Sequence, residues 1–200
     1  MILSKSFLTQ QAEKRNISEY GEKREQILYE NVKLSTRYDS VENTKTREYD
    51  IFLSHSSLDK KRVLTLVDLF NEASYSVYVD WIEDTQLDRS NVNKDTAQTL
   101  RERMNYSKGL AYIATSNSTS SKWCPWELGY FDGKKNSRCC ILPIMESSTF
   151  HGQEYLGLYP YISYSKIRNK NKYDFWVYNQ GTDEYVVLRK WLDGSDPYNH

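Results

Sequence analysis

Apolar residues along this chain alternate between the period of a strand and the period of a helix, beginning at residue 49. Tyr49–Ser54 (YDIFLS) is a short apolar run that ends in a small polar residue, as a buried strand does where it opens into a loop. The next segment has apolar residues at the spacing of one helical face, at Val63, Leu66, Val67 and Phe70. Asp59 precedes this run as a candidate N-cap. Strand, loop and helix form a first βα unit.

The same alternation continues to about residue 163. Further strands are predicted at Ser76–Asp80, Gly109–Thr115, Cys140–Met145 and, for a short fifth strand, Tyr161–Ser163. Further helices are predicted at Val92–Met104 and from the stretch 121–124 onward. Pro143 predicts an edge or irregular position for its strand, because proline cannot donate to a sheet ladder. Alternating β and α units favour an α/β fold with a mostly parallel, doubly wound sheet.

Two further regions flank this alternation. Residues 1–48 are polar and charged with a weak helical pattern, and we interpret them as a helical extension with a linker, attached to a domain at 49–200. The extension can pack on the domain or on a partner. Residues 173–192 predict a strand, a turn at Asn179–Gly181 and a last helix capped by Asp183.

Composition argues against several classes of function. Lys plus Arg and Asp plus Glu each total 27, so no net basic field favours nucleic acid as a partner. No segment approaches the ~20 apolar residues of a membrane span, and the N-terminus has no apolar run of signal-peptide length. We therefore expect a cytoplasmic protein without a membrane partner. The three cysteines, Cys124, Cys139 and Cys140, lack zinc spacing and are expected to be reduced core residues.

Familiar catalytic motifs are absent from the sequence. It contains no GxGxxG, GxxxxGK[ST] or GxSxG, which argues against a Rossmann dehydrogenase, a P-loop enzyme and an α/β-hydrolase. The three histidines, His55, His151 and His200, have no metal-ligand spacing, so we expect no metal site.

The stretch 116–133, SNSTSSKWCPWELGYFDG, joins a polar run to an aromatic-rich helix with the acidic residue Glu127 near its start. The serines are N-cap candidates and Pro125 suits a first turn, so the helix should begin between residues 121 and 124. Unpaired N–H groups there stabilise a carboxylate, and we expect Glu127 to be ionised and half-exposed. Trp123 lies four residues before Glu127 on the same helical face, where its ring can form an apolar wall beside the carboxylate. A purely structural role for these residues remains the alternative.

One carboxylate between aromatic walls suits a particular glycosidic reaction. Ordinary glycosidases pair two carboxyl groups, because the leaving alkoxide must be protonated. Nicotinamide leaves a pyridinium sugar as a neutral molecule, so a single ionised glutamate near the anomeric carbon is sufficient in principle. Because open parallel sheets build their sites at the carboxyl ends of strands, His55, Ser56, Trp81, Asp84 and the loop 116–121 should lie near one another.

Four segments, in order, resemble the Toll/interleukin-1 receptor (TIR) domains, particularly the bacterial ones. They are YDIFLSHSSLDK at 49–60, SVYVDW at 76–81, GLAYIATSNSTSSKW at 109–123 and S-x-W-C-x-x-E-L at 121–128. The resemblance extends roughly from residue 49 to residue 165. It implies a flavodoxin-like fold, with a mostly parallel sheet of about five strands flanked by helices, in agreement with the βα pattern.

The resemblance implies that Glu127 is the catalytic glutamate of an enzyme that cleaves the nicotinamide–ribose bond of NAD⁺ to give ADP-ribose or a cyclic isomer. NAD⁺ is then a substrate and no cofactor is implied. The segment WELGYFDG at 126–133 and the charged N-terminal extension resemble stand-alone TIR proteins of antiphage systems such as Thoeris. In those systems a separate effector protein reads the cyclic product.

The resemblance also implies substrate-binding residues and a mode of assembly. The residues are His55 and Ser56 on the nicotinamide side, with Trp81, Asp84 and Trp123 flanking the substrate. The resemblance implies that copies of the chain associate through TIR surfaces and that this association completes the pocket between protomers. A non-enzymatic module that assembles through the loop after the second strand is one alternative, and a bacterial virulence factor is another. Glu127 favours the enzyme, since an adaptor has no need of this carboxylate beside Trp123.

The residues themselves favour a cyclic product. Hydrolysis needs a positioned water, and usually a second carboxylate that activates it. Asp132 is the nearest acidic residue in the motif, and it is turned away from Glu127 by roughly 140° on a helical wheel. Asp84 and Asp88, on the loop after the second strand, remain alternative bases.

Overall fold

The computed structural model of the 200-residue chain describes residues 2–17, 23, 24, 26–28, 30, 47–84, 87, 93–134, 138–145 and 154–200. Within these residues, eight strands form a single sheet. Among the same residues, no helix is long and apolar enough to cross a membrane.

Five parallel strands make up the centre of the sheet. They are β2 (Tyr49–Ser54), β3 (Val77–Tyr78), β4 (Ser107–Ala114), β5 (Cys139–Met145) and β6 (Tyr161–Lys166). Their order across the sheet is β3-β2-β4-β5-β6, and each is parallel to its neighbour. This is the strand order of the flavodoxin-like folds. The predicted mostly parallel sheet of about five strands is confirmed, with additional strands at both ends of the chain.

The additional strands come from the two chain ends. Strand β1 (Leu3–Ser4) pairs in parallel with the end of β5. Strands β7 (Tyr173–Tyr178) and β8 (Tyr185–Val187) extend the sheet beyond β6 in antiparallel register. The predicted last helix is present but begins at Leu188, so the predicted cap at Asp183 is wrong. The Tyr-Val-Val run before it pairs with β7 as β8, as β-branched and aromatic residues favour.

Helices cover both faces of the sheet. They are α1 (Lys5–Lys14), α2 (Lys60–Glu72), α3 (Asp80–Glu83), α4 (Lys94–Asn105), α5 (Trp123–Lys134) and α6 (Leu188–Leu192). The core cluster on one face contains the buried residues of α1, α2 and α6, and the cluster on the other face contains those of α4 and α5. Asp59 precedes α2, as predicted, but its side chain does not cap the helix.

Pro143 was predicted to have an edge or irregular position, and of these the edge position is wrong, because its strand lies inside the sheet. It is in register with Ala114 of β4 on one side of β5. On the other side, β6 pairs with Ile141 whereas β1 pairs with Ile144. The missing N–H of the proline therefore falls where the strand changes its partner, and the ladder loses little there.

Residues 2–17 of the predicted extension pack on the domain. Leu8 and Ala12 of α1 are buried in the same cluster as the apolar face of α2. Arg15 donates three hydrogen bonds of 2.7, 2.8 and 3.2 Å to Glu72, and this pair joins the C-terminal ends of α1 and α2. Residues 31–46, which contain the predicted linker, lie outside the described residues, and the boundary at residue 48 stays a prediction.

Gly109 is predicted to be a position where even one added methyl group destabilises the fold. A β-carbon there would lie 2.6 Å from Leu192 Cδ2 and 3.2 Å from Trp191 Cζ3. We expect Gly109→Ala to lower the free energy of unfolding by about 1–3 kcal/mol through overpacking. Gly129→Ala is the control, since its β-carbon meets nothing within 4 Å and alanine favours helix α5 by about 1 kcal/mol. Urea denaturation measures the free energy of unfolding of the two variants. Equal values for Gly109→Ala and Gly129→Ala would contradict the expected overpacking at Gly109.

Candidate active site

A cleft of about 520 Å³ opens at the carboxyl ends of β2, β3 and β4. Its volume is within the range of small-molecule sites. Strand β2 lies between β3 and β4, so the chain connections on its two sides run in opposite directions across the sheet. Such a switch point is where open α/β sheets bind their ligands. The lining residues come from the segments that follow these three strands and are His55, Ser56, Ser57, Leu58, Asp80, Trp81, Leu87, Asn117, Ser120, Ser121, Lys122 and Trp123.

Four of the predicted site residues line this cleft. They are His55, Ser56, Trp81 and Trp123, and the end of the predicted loop 116–121 lies beside them. The segments that follow these parallel strands therefore converge on one cleft, as predicted for these four residues.

Asp84 is not among the residues that line the cleft. It is buried, and it accepts hydrogen bonds from the Tyr78 hydroxyl at 2.8 Å and from the Arg103 guanidinium at 2.9 and 2.8 Å. These contacts attach the segment after β3 to α4. Asp88, the other predicted loop carboxylate, lies outside the described residues.

Glu127 lies one turn into α5 and is fully buried. Its Oε2 accepts a hydrogen bond of 2.6 Å from the hydroxyl of Ser54, the last residue of β2. The expectation of a half-exposed carboxylate is wrong, because Cys124, Leu128 and other neighbours on α5 are also buried and the helix packs this side against the sheet. Burying a carboxylate is unfavourable unless donors satisfy it, and Ser54 is one such donor.

Trp123 connects Glu127 to the cleft. It is the first residue of α5, lines the cleft and lies on the same helical face as Glu127, one turn before it. Its indole packs edge-on against Trp126, with ring centroids 5.4 Å apart. Glu127 itself is not among the residues that line the cleft, so Trp123 is the part of this helical face that does so.

His55 is held by hydrogen bonds at both ring nitrogens. Its Nδ1 lies 2.7 Å from the carbonyl oxygen of Leu53, and its Nε2 accepts a 2.8 Å hydrogen bond from the Trp81 indole. These partners require the proton to be on Nδ1, which donates to the carbonyl. Asp80 Oδ1 is 3.4 Å from Nε2. The imidazole thus orients Trp81 at the cleft, and its geometry supports a positioning role more than proton transfer.

Asp59 joins two of the loops that form the cleft. Its buried carboxylate accepts hydrogen bonds from Thr115 Oγ1 at 2.6 Å and from Asn117 Nδ2 at 2.9 Å. Arg62 also pairs with it. Because Asp59 follows β2 whereas Thr115 and Asn117 follow β4, these bonds hold the two loops in one arrangement.

The segment after β3 was predicted to be a loop, and it begins with a short helix. Asp80–Glu83 form the short helix α3, which carries Trp81, and the ammonium of Lys60 lies 5.0 Å from the centroid of the Trp81 ring. Residues 85, 86 and 88 of this segment lie outside the described residues.

Over the described part of the chain, no group of three or more His, Cys, Asp or Glu residues is arranged to hold a metal ion.

Sequence reasoning missed Ser54 and Asp80 as residues of the site. Both lie at or just after the carboxyl end of a parallel strand, which is the signal that could have identified them. Asp80 matters chemically, because it brings a carboxylate to the cleft from outside the Glu127 motif.

Comparisons with known proteins agree with this geometry. The family model described as "TIR domain" matches residues 51–177. A protein of Bacillus cereus (strain MSX-D12) named "Probable 3' cyclic ADP-D-ribose synthase ThsB'" is 50% identical over 151 residues, which cover 74% of this chain and 77% of that protein. A protein of Cytobacillus dafuensis named "Putative cyclic ADP-D-ribose synthase TIR2" is 35% identical over 103 residues, 51% of this chain and 27% of that protein.

Ser54→Ala is predicted to destabilise the protein, because it removes a hydroxyl that donates to the buried Glu127 carboxylate. Hydrogen bonds to charged groups contribute about 1.5–3 kcal/mol, and we expect the free energy of unfolding at neutral pH to fall by about this amount. Ser57→Ala, in the exposed part of the same loop, serves as the control and should change it by less than about 0.5 kcal/mol. Chemical denaturation measures the free energy of unfolding of both variants. An equal change in the two variants would refute the importance of the Ser54 contact.

Proposed function

The chain belongs to the TIR domain family, and on this premise we propose that it is an NAD⁺-consuming enzyme that makes a cyclic ADP-ribose. The observation that carries the proposal is the buried Glu127, which lies in the motif that resembles the catalytic motif of TIR enzymes, one helical turn after Trp123, a residue that lines a substrate-sized cleft. The name of the Bacillus cereus relative, a cyclic ADP-D-ribose synthase 50% identical to this chain, supports the same reaction.

Bond cleavage requires stabilisation of a positively charged ribose. When the bond between the anomeric carbon and the nicotinamide nitrogen breaks, its electron pair leaves with nicotinamide, which departs as a neutral molecule. The positive charge then develops on the ribose, and the Glu127 carboxylate stabilises it by charge. Ser54 orients that carboxylate through its hydrogen bond. Trp123 keeps water away from the cation.

The product depends on which nucleophile reaches the anomeric carbon. An internal group of the ADP-ribose moiety gives a cyclic molecule and releases a proton, and its proximity gives it a large advantage over an external nucleophile. Water gives linear ADP-ribose and works best with a positioned base. Asp132 is directed away from Glu127, since it accepts a hydrogen bond from Tyr159 at 3.1 Å. Asp80 is the carboxylate in the cleft that would favour hydrolysis if it positioned a water molecule.

Glu127→Gln is predicted to lower nicotinamide release from NAD⁺ by at least about 100-fold, because the amide cannot supply the charge that stabilises the transition state. Asp132→Asn, on the same helix, is the control and should retain turnover. Chromatography measures nicotinamide, and circular dichroism verifies that both variants are folded. Comparable turnover by Glu127→Gln and the wild type would refute the assignment.

Mass spectrometry of the same wild-type reaction identifies the product. We expect a species lighter than ADP-ribose by one water, since cyclisation replaces the hydrolytic step. ADP-ribose alone, formed while nicotinamide is released, would contradict the cyclic product and implicate a base such as Asp80.

Self-association is part of this proposal. A fully buried Glu127 must become accessible before it can act on a substrate, and contacts between copies through the segment around α3 can supply that rearrangement. We propose that the cyclic product is read by a separate effector protein in antiphage defence. We place the reaction in the cytoplasm, a reducing compartment that suits the three free, buried cysteines.

Turnover per protomer is predicted to rise steeply with protein concentration, because assembly completes the site. Initial rates of nicotinamide release, measured across a wide range of protein concentration at saturating NAD⁺, test this expectation. Light scattering on the same samples relates the activity to particle size. A specific activity that stays constant while the protein remains monomeric would show that one copy is sufficient.

A further inference from the structure

A groove of about 400 Å³ lies between helices α4 and α5. Its volume is within the range of small-molecule sites. Three of its lining side chains are cationic and none is acidic. The lining residues are Asn93, Lys94, Ala97, Arg101, Lys122, Trp123 and Trp126.

The cations of this groove are not neutralised by carboxylates. Within the part of the chain that the structure describes, Lys94, Arg101 and Lys122 make no hydrogen bond or ion pair to an acidic side chain. Glu102, the acidic neighbour of Arg101 on α4, accepts a hydrogen bond from Gln98 and does not line the groove. The whole chain has equal numbers of acidic and basic residues, so this positive charge is a local feature. The groove therefore suits an anion.

Arg101 is held by aromatic rings rather than by an anion. Its Cζ lies 5.3 Å from the centroid of the Trp126 ring and 5.9 Å from that of the Tyr130 ring. These two rings stack on each other with centroids 5.8 Å apart. No acceptor among the described residues uses the N–H donors of this guanidinium. Its planar set of donors matches a phosphate group, with which it can form paired hydrogen bonds.

The rest of the lining is largely apolar. Ala97, Trp123 and Trp126 contribute carbon surface, and Trp126 is only partly buried. A ligand that combines phosphate groups with a flat ring satisfies both the cations and this apolar surface. A nucleotide has that composition, whereas an inorganic anion uses the cations alone.

Trp123 relates this groove to the proposed reaction. It lines the groove and also lines the cleft, and it precedes Glu127 by one helical turn. The groove is formed in the state in which Glu127 is fully buried. A ligand that binds this state more tightly than a state with an accessible Glu127 shifts the population toward the buried state. Such a ligand opposes the rearrangement that catalysis requires.

We propose that the groove between α4 and α5 is a regulatory site that binds a nucleotide and lowers turnover in the cleft. Lys94 and Arg101 recognise the phosphates, and Trp126 contacts the ring of the base. The regulatory part of this inference rests on the proposed function, whereas the binding part does not. Lys122 also lines the cleft, so the test leaves it unchanged.

ADP is the probe for binding, since it carries two phosphates and an adenine ring but no nicotinamide. Calorimetry compares the wild type with the double variant Lys94→Ala/Arg101→Gln. We expect the wild type to bind ADP and the double variant to bind it at least about tenfold more weakly, because two cationic contacts to the phosphates are lost. Thermal melting verifies that each variant is folded.

The control for binding is Lys134→Ala/Lys170→Ala, which removes the same charge from residues that do not line the groove. Lys134 also lies near the Tyr130 ring, at 5.6 Å from its centroid, so the control matches Arg101 in this contact. It should bind ADP as the wild type does. Absence of ADP binding by the wild type, unchanged binding by the groove variant, or equal weakening in the control would each overturn the site.

Nicotinamide release at increasing ADP concentration tests the regulatory role. We expect ADP to lower kcat at least about fivefold, with KM for NAD⁺ within about twofold. Lys94→Ala/Arg101→Gln should keep the basal turnover and lose this response. A rise in KM alone would show that ADP competes with the ADP part of NAD⁺ for the substrate site, and it would overturn the regulatory role.

These outcomes separate the inference from the proposed function. If the wild type releases nicotinamide while ADP neither binds nor inhibits, the enzyme assignment stands and the groove assignment fails. If the wild type does not consume NAD⁺, the proposed function fails together with the regulatory role, and ADP binding that depends on Lys94 and Arg101 still supports a nucleotide site. Binding of an oligoglutamate peptide without binding of ADP would assign the groove to an acidic protein partner and overturn the nucleotide.

Discussion

The need to satisfy two buried carboxylates organises the catalytic end of this fold. Glu127 and Asp59 are both almost inaccessible to solvent, and each would destabilise the protein if it lacked donors. Ser54 donates to the first, and Thr115 and Asn117 donate to the second. Because these donors come from the ends of β2 and β4, satisfying the carboxylates also sets the positions of the loops that form the cleft. Stability and site geometry therefore depend on the same hydrogen bonds.

The parts of this arrangement that follow from local pattern were predictable from the sequence. The apolar run of β2, the helical face of α2 and the start of α5 at Trp123 all agree with their periodicity and turn residues. Loop convergence at the ends of parallel strands then places His55, Ser56, Trp81 and Trp123 around one cleft.

The parts that depend on tertiary partners were not predictable in this way. Glu127 was expected to be half-exposed because its position near a helix start says nothing about what covers the helix. Asp59 has the sequence position of a cap but pairs with a distant loop instead. Pro143 suggested an edge or irregular strand, but the sequence does not show that β1, from the other end of the chain, and β6 pair with the same side of its strand. In each case a contact between residues far apart in sequence overrides the local preference.

The lengths of the outermost strands limit how copies of the protein can join. At one edge of the main strand order lies β3, with 2 residues, and at the other lies β8, with 3 residues. Such short edges expose few unpaired N–H and C=O groups, so they are poor templates for a strand from another molecule. The sheet is thereby protected against open-ended β-aggregation even at high local concentration. Contacts between copies are therefore favoured at the side chains of helices and loops, which separate more readily than a shared β-ladder does.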